Sequence, residues 1–148
     1  MGRVLLKTPR IDPRYAVFKL SIRKSAIHRY GVYAQELIPG NRKVIEYTGQ
    51  HLNRRETKYA DHTYLFTLDK YWTVDGGVGG SGAEIINHSC EPNLVSRVMK
   101  GHILYVSLRV IKPGEELTVD YNFGKETERV RCFGGAEKCR GSIQNKGS

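Results

Sequence analysis

Turn-forming residues interrupt this sequence so often that no long regular element can form. The chain holds 16 Gly and 5 Pro in 148 residues, and these residues separate short apolar segments. Gly and Pro mark bends and chain reversals. The nine Tyr residues suit the half-buried surface of a pleated sheet. We therefore expect one compact, mainly β domain rather than a helical bundle.

Apolar and alternating runs between these turns predict the individual elements. The expected strands cover residues 15–23, 31–34, 43–48, 64–68, 72–74, 95–99, 102–110 and 117–121. Residues 52–60 contain good helix formers and are the best helix candidate. The glycine-rich residues 76–82 lack the Lys-Ser/Thr of a phosphate-binding loop, so we interpret them as a connector.

Positive charge is concentrated at the two ends of the chain. The formal net charge is +9, and residues 1–29 carry eight Lys and Arg residues against the single acid Asp12. Residues 125–148 carry six basic residues against three acids. Clustered Lys and Arg attract nucleic-acid phosphates, so the termini are candidates for DNA contact. The alternative is a solvated basic surface that aids solubility.

The sequence shows no sign of export or of a membrane span. No stretch reaches the roughly 18 apolar residues that a bilayer span needs, and the basic N-terminus has no apolar core of a signal peptide. We expect a protein that is neither secreted nor membrane-bound. Three cysteines without an export signal favour reduced thiols or metal ligands over a disulfide scaffold.

Two polar runs stand out between apolar residues. Residues 87–93 read Asn-His-Ser-Cys-Glu-Pro-Asn, and residues 116–121 read Glu-Leu-Thr-Val-Asp-Tyr. A buried polar run must be satisfied by hydrogen bonds. Taken separately, the first is explained by a tight loop whose side chains bond their own backbone, and the second by a strand end with a packed Tyr.

Taken together and in this order, the two runs resemble the SET domain of protein lysine methyltransferases. Residues 25–34 are similar to the first cofactor loop of that family, and residues 132–141 resemble its post-SET tail. The resemblance implies a mainly β SET fold, with several short sheets around a pseudoknot and a small cysteine-containing tail. The implied organisation is a basic N-terminal segment at 1–17, a SET domain at 18–123 and a post-SET-like tail at 124–148.

The resemblance also assigns roles to individual residues. Tyr121 would be the catalytic phenol, and Tyr64 would form a wall of the lysine channel, with Tyr47 and Phe66 as further wall candidates. The S-adenosylmethionine site would be lined by residues from several segments, partly through backbone groups: His28, Tyr30, Gly31, Tyr33, Tyr64, Asn87, His88 and Phe133.

Zinc is implied by the family but with one ligand missing. Cys90, Cys132 and Cys139 match the thiolate positions, whereas Gly134 stands where the middle cysteine of the tail would be. Either three thiolates and a fourth ligand from elsewhere bind zinc, or the cysteines are unrelated reduced thiols, because losing one ligand weakens a structural site.

Three other positions depart from the family pattern. Arg29 replaces the usual first glycine of the cofactor loop, Glu84 stands where many members carry Arg, and Ile85 replaces an aromatic residue. Val119 occupies the position, two residues before the catalytic Tyr, that influences how many methyl groups are added. A small side chain there leaves room, so we expect more than one methyl group to be transferred.

These features predict an S-adenosylmethionine-dependent protein lysine N-methyltransferase, with histone tails or another basic protein as substrate. Such an enzyme would be nuclear in a eukaryote and otherwise cytoplasmic. Two alternatives stay open: a non-catalytic SET-like module that binds peptide or cofactor, and a basic nucleic-acid-binding domain. The target lysine and the oligomeric state are not predicted.

Overall fold

The computed structural model describes residues 9–27 and 29–120, and its regular structure is mostly short strands. Ten strands are found: β1 (Leu20–Lys24), β2 (Tyr30–Ala34), β3 (Lys43–Tyr47), β4 (Gln50–Leu52), β5 (Leu65–Thr67), β6 (Thr73–Asp75), β7 (Asn87–His88), β8 (Leu94–Met99), β9 (His102–Ser107) and β10 (Thr118–Val119). The helix α1 spans Arg54–Lys58, and 3₁₀ turns cover His62–Tyr64 and Ala83–Ile85. The predicted mainly β class is confirmed.

The strands form three sheets. An antiparallel hairpin joins β1 to β2, a five-stranded sheet has the order β3-β9-β8-β10-β7, and a three-stranded sheet has the order β4-β6-β5. All pairs are antiparallel except those of β10, which runs parallel to both β7 and β8. The strand β10 therefore lies between β7 and β8, two strands that are close to each other in sequence. This insertion positions the site described below.

The core consists of small and medium aliphatic side chains contributed mainly by the first two sheets, with two tyrosines. Ile45, Ile103 and Ile111 are 0–1% exposed. The buried cluster contains Val32, Ala34, Ile38, Val44, Ile45, Tyr47, Val74, Ala83, Ile86, Leu94, Ile103, Tyr105, Ile111, Leu117 and Val119. Residues on both sides of the polar run 87–93 belong to this cluster, so the run itself is drawn into the interior.

The predicted strand at residues 15–23 is wrong in its first half. Residues 15–17 pair with β3 instead, since Val17 N donates to the Val44 carbonyl at 2.9 Å and Glu46 N donates to the Tyr15 carbonyl at 3.0 Å. The chain joins β2 only from Leu20 onward. The alternating pattern of residues 15–23 predicts one strand, but the first part of this segment pairs with β3 and the second part pairs with β2.

The predicted start of a strand at Tyr64 is also wrong. Asp61 accepts a hydrogen bond from Thr63 N at 3.0 Å and caps a 3₁₀ turn that includes Tyr64, so β5 begins one residue later. The helix predicted at 52–60 is confirmed as the shorter α1, whose start is fixed by reciprocal capping between Asn53 and Glu56. Within the described ranges, no helix has the length and apolarity needed to cross a membrane.

Candidate active site

The two polar runs meet in space through β10. Thr118 lies opposite Asn87, and Val119 lies opposite both His88 and Leu94. Ser89 N donates to the Val119 carbonyl at 3.1 Å. Residues separated by about thirty positions in the sequence thus form one parallel, hydrogen-bonded layer, as the implied pseudoknot requires.

Asn93 secures the far side of this layer. Its side-chain amide donates to the Glu116 carbonyl at 2.9 Å, and its side-chain oxygen accepts from Thr118 N at 2.8 Å. Asn93 is 2% exposed. At this crossing, the backbone C=O of Glu116 and the backbone N–H of Thr118 would otherwise be buried without hydrogen-bond partners. The side-chain amide of Asn93 pairs with both groups.

The Glu116 carboxylate is the centre of a second polar cluster. It accepts from the Ser25 hydroxyl at 2.9 Å, the Asn87 side-chain amide at 2.8 Å and the Tyr33 hydroxyl at 3.3 Å. Asn87 also donates to the Tyr30 carbonyl at 2.8 Å. One half-buried carboxylate therefore joins the loop before β2, the strand β2, the strand β7 and the segment that leads into β10.

Gly31 permits this arrangement because it has no side chain. A Cβ at Gly31 would lie 2.2 Å from Glu116 Oε2, closer than any real contact allows. The family resemblance placed Gly31 in the cofactor loop, and its close approach to Glu116 gives a physical reason for a glycine here. Sequence reasoning missed both Ser25 and Glu116 as site residues, although the Glu-Leu-x-x-Asp-Tyr run contained the second.

His88 lies beside a thiol and a carboxylate. Its Nε2 is 3.5 Å from Cys90 Sγ, and its Nδ1 is 3.7 Å from Asp120 Oδ1. The His88 side chain is 6% exposed, whereas Asp120 is 33% exposed. The ring is thus held at the junction of β7 with the end of β10, beside Asp120.

Three aromatic rings pack against one another beside the glycine-rich connector, and we call them the aromatic wall. The ring centroid of Tyr47 lies 5.3 Å from that of Phe66 and 6.1 Å from that of Tyr105. The Tyr47 hydroxyl donates to the carbonyl of Tyr64. Tyr47 and Tyr105 are 7% and 3% exposed. Tyr105 was not predicted as a wall residue, because its strand alternation indicates only a core position.

The glycine-rich connector closes over Glu84. The Glu84 carboxylate accepts from Gly82 N at 2.9 Å, and a Cβ at Gly80 would lie 2.5 Å from Glu84 Oε1. A Cβ at Gly76 would meet both Glu84 and the Tyr47 hydroxyl at 2.8 Å. The connector therefore packs between the aromatic wall and the 3₁₀ turn that leads to Asn87. Burial raises the pKa of the Glu84 carboxyl above its ordinary value.

The polar interior is fully satisfied within the described residues. No buried side-chain nitrogen or oxygen there lacks a hydrogen-bond partner, although Ser81, Asn87, His88, Ser89, Asn93, Ser107 and Thr118 are all buried. Such satisfaction makes a buried polar layer rigid instead of destabilising.

The structure brings some predicted site residues together and leaves others apart. Tyr30, Gly31, Asn87 and His88 meet at the junction of β2 and β7. The Tyr33 ring packs under the Arg23 guanidinium at 4.3 Å and belongs to the Glu116 cluster, so its predicted cofactor contact stays a prediction. The Tyr64 side chain is 38% exposed, and its backbone carbonyl holds Tyr47 and Gly76.

Several predicted residues lie outside the described ranges: His28, Tyr121, Cys132, Phe133 and Cys139. In the described part of the chain, no three His, Cys, Asp or Glu side chains are grouped so as to hold a metal ion. The zinc site therefore stays a prediction.

A mutant cycle tests the contact between Gly31 and Glu116. Gly31→Ala and Glu116→Ala should each lower the free energy of unfolding by about 1–3 kcal/mol, because each breaks the same cluster. The double variant should be less destabilised than the sum of the two, by about 1 kcal/mol or more, since the added methyl no longer meets a carboxylate. Urea denaturation measures all four proteins. Additive effects would contradict the contact.

The raised pKa of Glu84 predicts how stability changes with pH. Because folding buries the ionised Glu84 carboxylate, this group lowers the free energy of unfolding at every pH above its folded pKa. The loss of stability disappears as the pH falls below 4.5, the ordinary pKa of a glutamate. Glu84→Gln should therefore stabilise the protein more at pH 8 than at pH 4 in denaturation experiments. Glu115→Gln is the control and should destabilise the protein more at pH 8 than at pH 4, because Arg109 lowers the pKa of Glu115. A Glu84→Gln effect independent of pH would refute the assignment.

Comparison with known proteins agrees with this geometry. The SET domain family model matches residues 29–122. The H3 lysine-4 specific histone-lysine N-methyltransferase of Debaryomyces hansenii is 36% identical, with 84% of this chain and 13% of that protein covered. Histone-lysine N-methyltransferase SETD1 of Drosophila melanogaster is 38% identical, with 84% of this chain and 8% of that protein covered. The chain thus spans only a small part of these curated relatives.

Solved structures show the same architecture. KRYPTONITE in complex with mCHG DNA and SAH superposes with a TM-score of 0.74 at 29% identity, covering 86% of this chain and 29% of that one. Arabidopsis thaliana SUVH6 in complex with SAM gives a TM-score of 0.78 at 25% identity, covering 90% of this chain and 35% of that one. The post-SET-like tail predicted at residues 124–148 lies outside the described ranges and stays a prediction. The expected SET fold is confirmed for the described residues, and the chain belongs to the SET domain family.

Proposed function

We propose that this chain is an S-adenosylmethionine-dependent protein lysine N-methyltransferase. The observation that carries the proposal is the parallel pairing of β7 with β10, which places Asn87 and His88 beside the strand that leads to Asp120 and Tyr121. The curated relatives from Debaryomyces hansenii, Drosophila melanogaster and Caenorhabditis elegans are named histone-lysine N-methyltransferases, which supports the same activity. Structures of SET-domain neighbours with SAM or SAH support the choice of cofactor.

The residues present fit S-adenosylmethionine. Asn87 donates to the Tyr30 carbonyl, so the glycine-bearing strand and the Asn-His strand are held next to each other before any ligand binds. The exposed guanidinium of Arg29 can pair with the carboxylate of the cofactor. The side-chain carboxylate of Asp120 and backbone carbonyls can face its positive groups. Tyr30, Gly31, Asn87 and His88 would hold the cofactor, with His28 and Phe133 as predicted additions.

The aromatic wall provides what the substrate side of the reaction needs. Free lysine has a pKa of about 10.4, so only roughly one molecule in a few thousand is neutral at pH 7. The rings of Tyr47, Phe66 and Tyr105 pack on one another, and Phe66 is partly exposed. A lysine side chain that packed on this group would be shielded from water. Desolvation disfavours the ammonium form and lowers the pKa of the bound lysine.

The reaction follows from these two halves of the site. S-adenosylmethionine, when bound, supplies an electrophilic methyl group on a positively charged sulfonium. The wall residues orient the lysine nitrogen for in-line attack, and its proton leaves to water. Alignment of this kind can lower a barrier by several kcal/mol. No strong general base is then needed.

Tyr121 is the proposed catalytic phenol at the join of the two halves. It directly follows Asp120, whose carboxylate is 3.7 Å from the His88 ring. A phenol can pack through its ring while its hydroxyl donates or accepts a hydrogen bond. The structure does not describe Tyr121, so this role rests on its place in the chain and on the family motif.

A basic protein such as a histone tail is the proposed substrate. The relatives carry histone in their names, and one KRYPTONITE structure holds an H3(1-15) peptide. Nuclear localisation would follow in a eukaryote. Zinc bound by Cys90, Cys132 and Cys139 with a fourth ligand from elsewhere is part of the same proposal, as is DNA contact through the basic termini.

Methyl transfer by the purified chain is the direct test. Radiolabelled S-adenosylmethionine should label lysine in histones or bulk basic protein, and Tyr121→Phe should reduce the rate by at least about 100-fold because the orienting hydroxyl is lost. SAH should raise the melting temperature of both proteins. Thermal stabilisation by SAH without any transfer would favour the non-catalytic binding module. Neither effect, with steeply salt-dependent DNA binding, would favour the nucleic-acid-binding domain.

Val119 predicts the number of methyl groups added. It is 3% exposed and pairs with His88. The family resemblance places its side chain near the reacting nitrogen, where a larger side chain would take up the space that added methyl groups need. The wild type should give di- or trimethyllysine, and Val119→Tyr should shift the product toward monomethyllysine in mass spectrometry. Val119→Ile is the conservative control and should shift it less. An unchanged distribution in Val119→Tyr would contradict the prediction.

A further inference from the structure

A groove on the surface lies between the start of α1 and the turn that leads into β6. This groove, which we call the Trp72 groove, has a volume of about 460 Å³. Its lining residues are Asn53, Arg54, Arg55, Tyr71 and Trp72. Tyr71 is 59% exposed and Trp72 is 42% exposed. The proposed methyl-transfer site uses none of these five residues. Lys70 Nζ lies 5.3 Å from the centroid of the Tyr71 ring, which adds a third cation beside the two arginines. Partly exposed aromatic rings among several cations call for a separate explanation.

The aromatic side of the Trp72 groove is held rigidly. Asp69 Oδ1 accepts from Tyr71 N and from Trp72 N, both at 2.8 Å. The Trp72 carbonyl accepts from Leu68 N at 3.0 Å and from Asp69 N at 3.2 Å. The His51 ring packs against the indole with a centroid distance of 6.4 Å. A ligand would therefore find the indole already in place, which reduces the entropy cost of binding.

The cationic side is fixed by the helix cap. Asn53 accepts from Glu56 N at 2.8 Å, and Glu56 accepts from Asn53 N at 2.8 Å, so the first turn of α1 is closed. Arg54 and Arg55 occupy that turn. Across the sheet, Leu52 lies opposite Thr73, which brings the start of α1 beside Trp72.

Charge in the Trp72 groove is of one sign. None of its five lining residues is acidic, and neither arginine forms an ion pair with another described residue. The flanking acids Glu56 and Asp69 direct their carboxylates to backbone N–H groups of the cap and the turn. The guanidinium groups are therefore available to an anion, and the groove favours a ligand that carries both negative charge and flat rings.

We propose that the Trp72 groove binds a single-stranded nucleic acid. The guanidinium forks of Arg54 and Arg55 would bind phosphates, and unpaired bases would stack on the rings of Tyr71 and Trp72. A duplex keeps its base faces covered, so it cannot use the rings in this way. An acidic peptide would use the arginines but not the aromatic faces.

The single tryptophan of the chain provides a local test. Because Trp72 is the only Trp, its fluorescence reports on this groove and not on the basic termini. The wild-type chain of 148 residues is titrated with oligo(U) and oligo(dT) of about 12 nucleotides. Binding is followed in parallel by the anisotropy of a labelled strand. Saturable quenching of Trp72 at the same concentration as the anisotropy change is the expected result.

Two pairs of variants separate the groove from general charge. Arg54→Ala/Arg55→Ala should weaken binding by about fivefold or more, as should Trp72→Ala measured by anisotropy. Arg97→Ala/Lys100→Ala removes the same charge from an exposed hairpin, and Tyr59→Ala removes an aromatic ring that is 84% exposed but outside the groove. These controls should change affinity by less than about twofold. Circular dichroism verifies that each variant is folded.

Several outcomes would overturn the proposal. Anisotropy changes without Trp72 quenching would place binding elsewhere, such as on the termini. Equal quenching by polyglutamate would show that the groove binds anions without specificity. Equal quenching by duplex DNA would show that unpaired bases are not required. Equal loss in the hairpin control would show that only net charge matters. Since no methyl transfer is measured, failure here leaves the proposed enzyme activity untouched.

Discussion

The carboxylate of Glu116 holds together segments that are up to 91 residues apart in the chain. Ser25, Tyr33 and Asn87 all donate to it, and Gly31 lies so close that no side chain could replace its hydrogen. A carboxylate taken out of water is costly unless several donors surround it. The three donors meet that requirement only when the loop before β2 and the strands β2 and β7 are all in their folded positions. The charge thereby makes the site depend on the whole fold.

The insertion of β10 between β7 and β8 also makes the site depend on the whole fold, here through backbone pairing. The strand is only two residues long, yet it pairs with β7 and β8. It forms two further bonds with Asn93: Thr118 N donates to the Asn93 side-chain oxygen, and Asn93 N donates to the Thr118 hydroxyl. Parallel pairing of residues that are distant in sequence has a high loop-closure cost, which a two-residue strand could not offset alone. The buried side-chain bonds and the aliphatic core around Leu117 and Val119 supply the remainder. Polar site and apolar core are therefore stabilised by the same residues.

The sequence predicts the fold class and the main elements well because short apolar runs between glycines leave few alternatives. It fails at residues 15–17, where one run pairs with two different partners, and at Tyr64, where the cap at Asp61 changes the local conformation. The motifs single out Gly31 and Asn87, and the structure places both beside Glu116. Ser25 and Glu116 lie within the motifs at residues 25–34 and 116–121, but the contact between their side chains could not be predicted, because single-sequence patterns carry no information about such distant pairs.

Amide hydrogen exchange tests the central claim most directly. If residues 87–93 and 116–120 form one layer, the backbone N–H groups of Ser89 and Thr118 should exchange only through global unfolding, and SAH should slow them further. The glycine-rich connector at residues 76–82 serves as the internal reference and should exchange much faster at its exposed positions. Exchange of Thr118 at the rate of the connector, unaffected by SAH, would contradict the account.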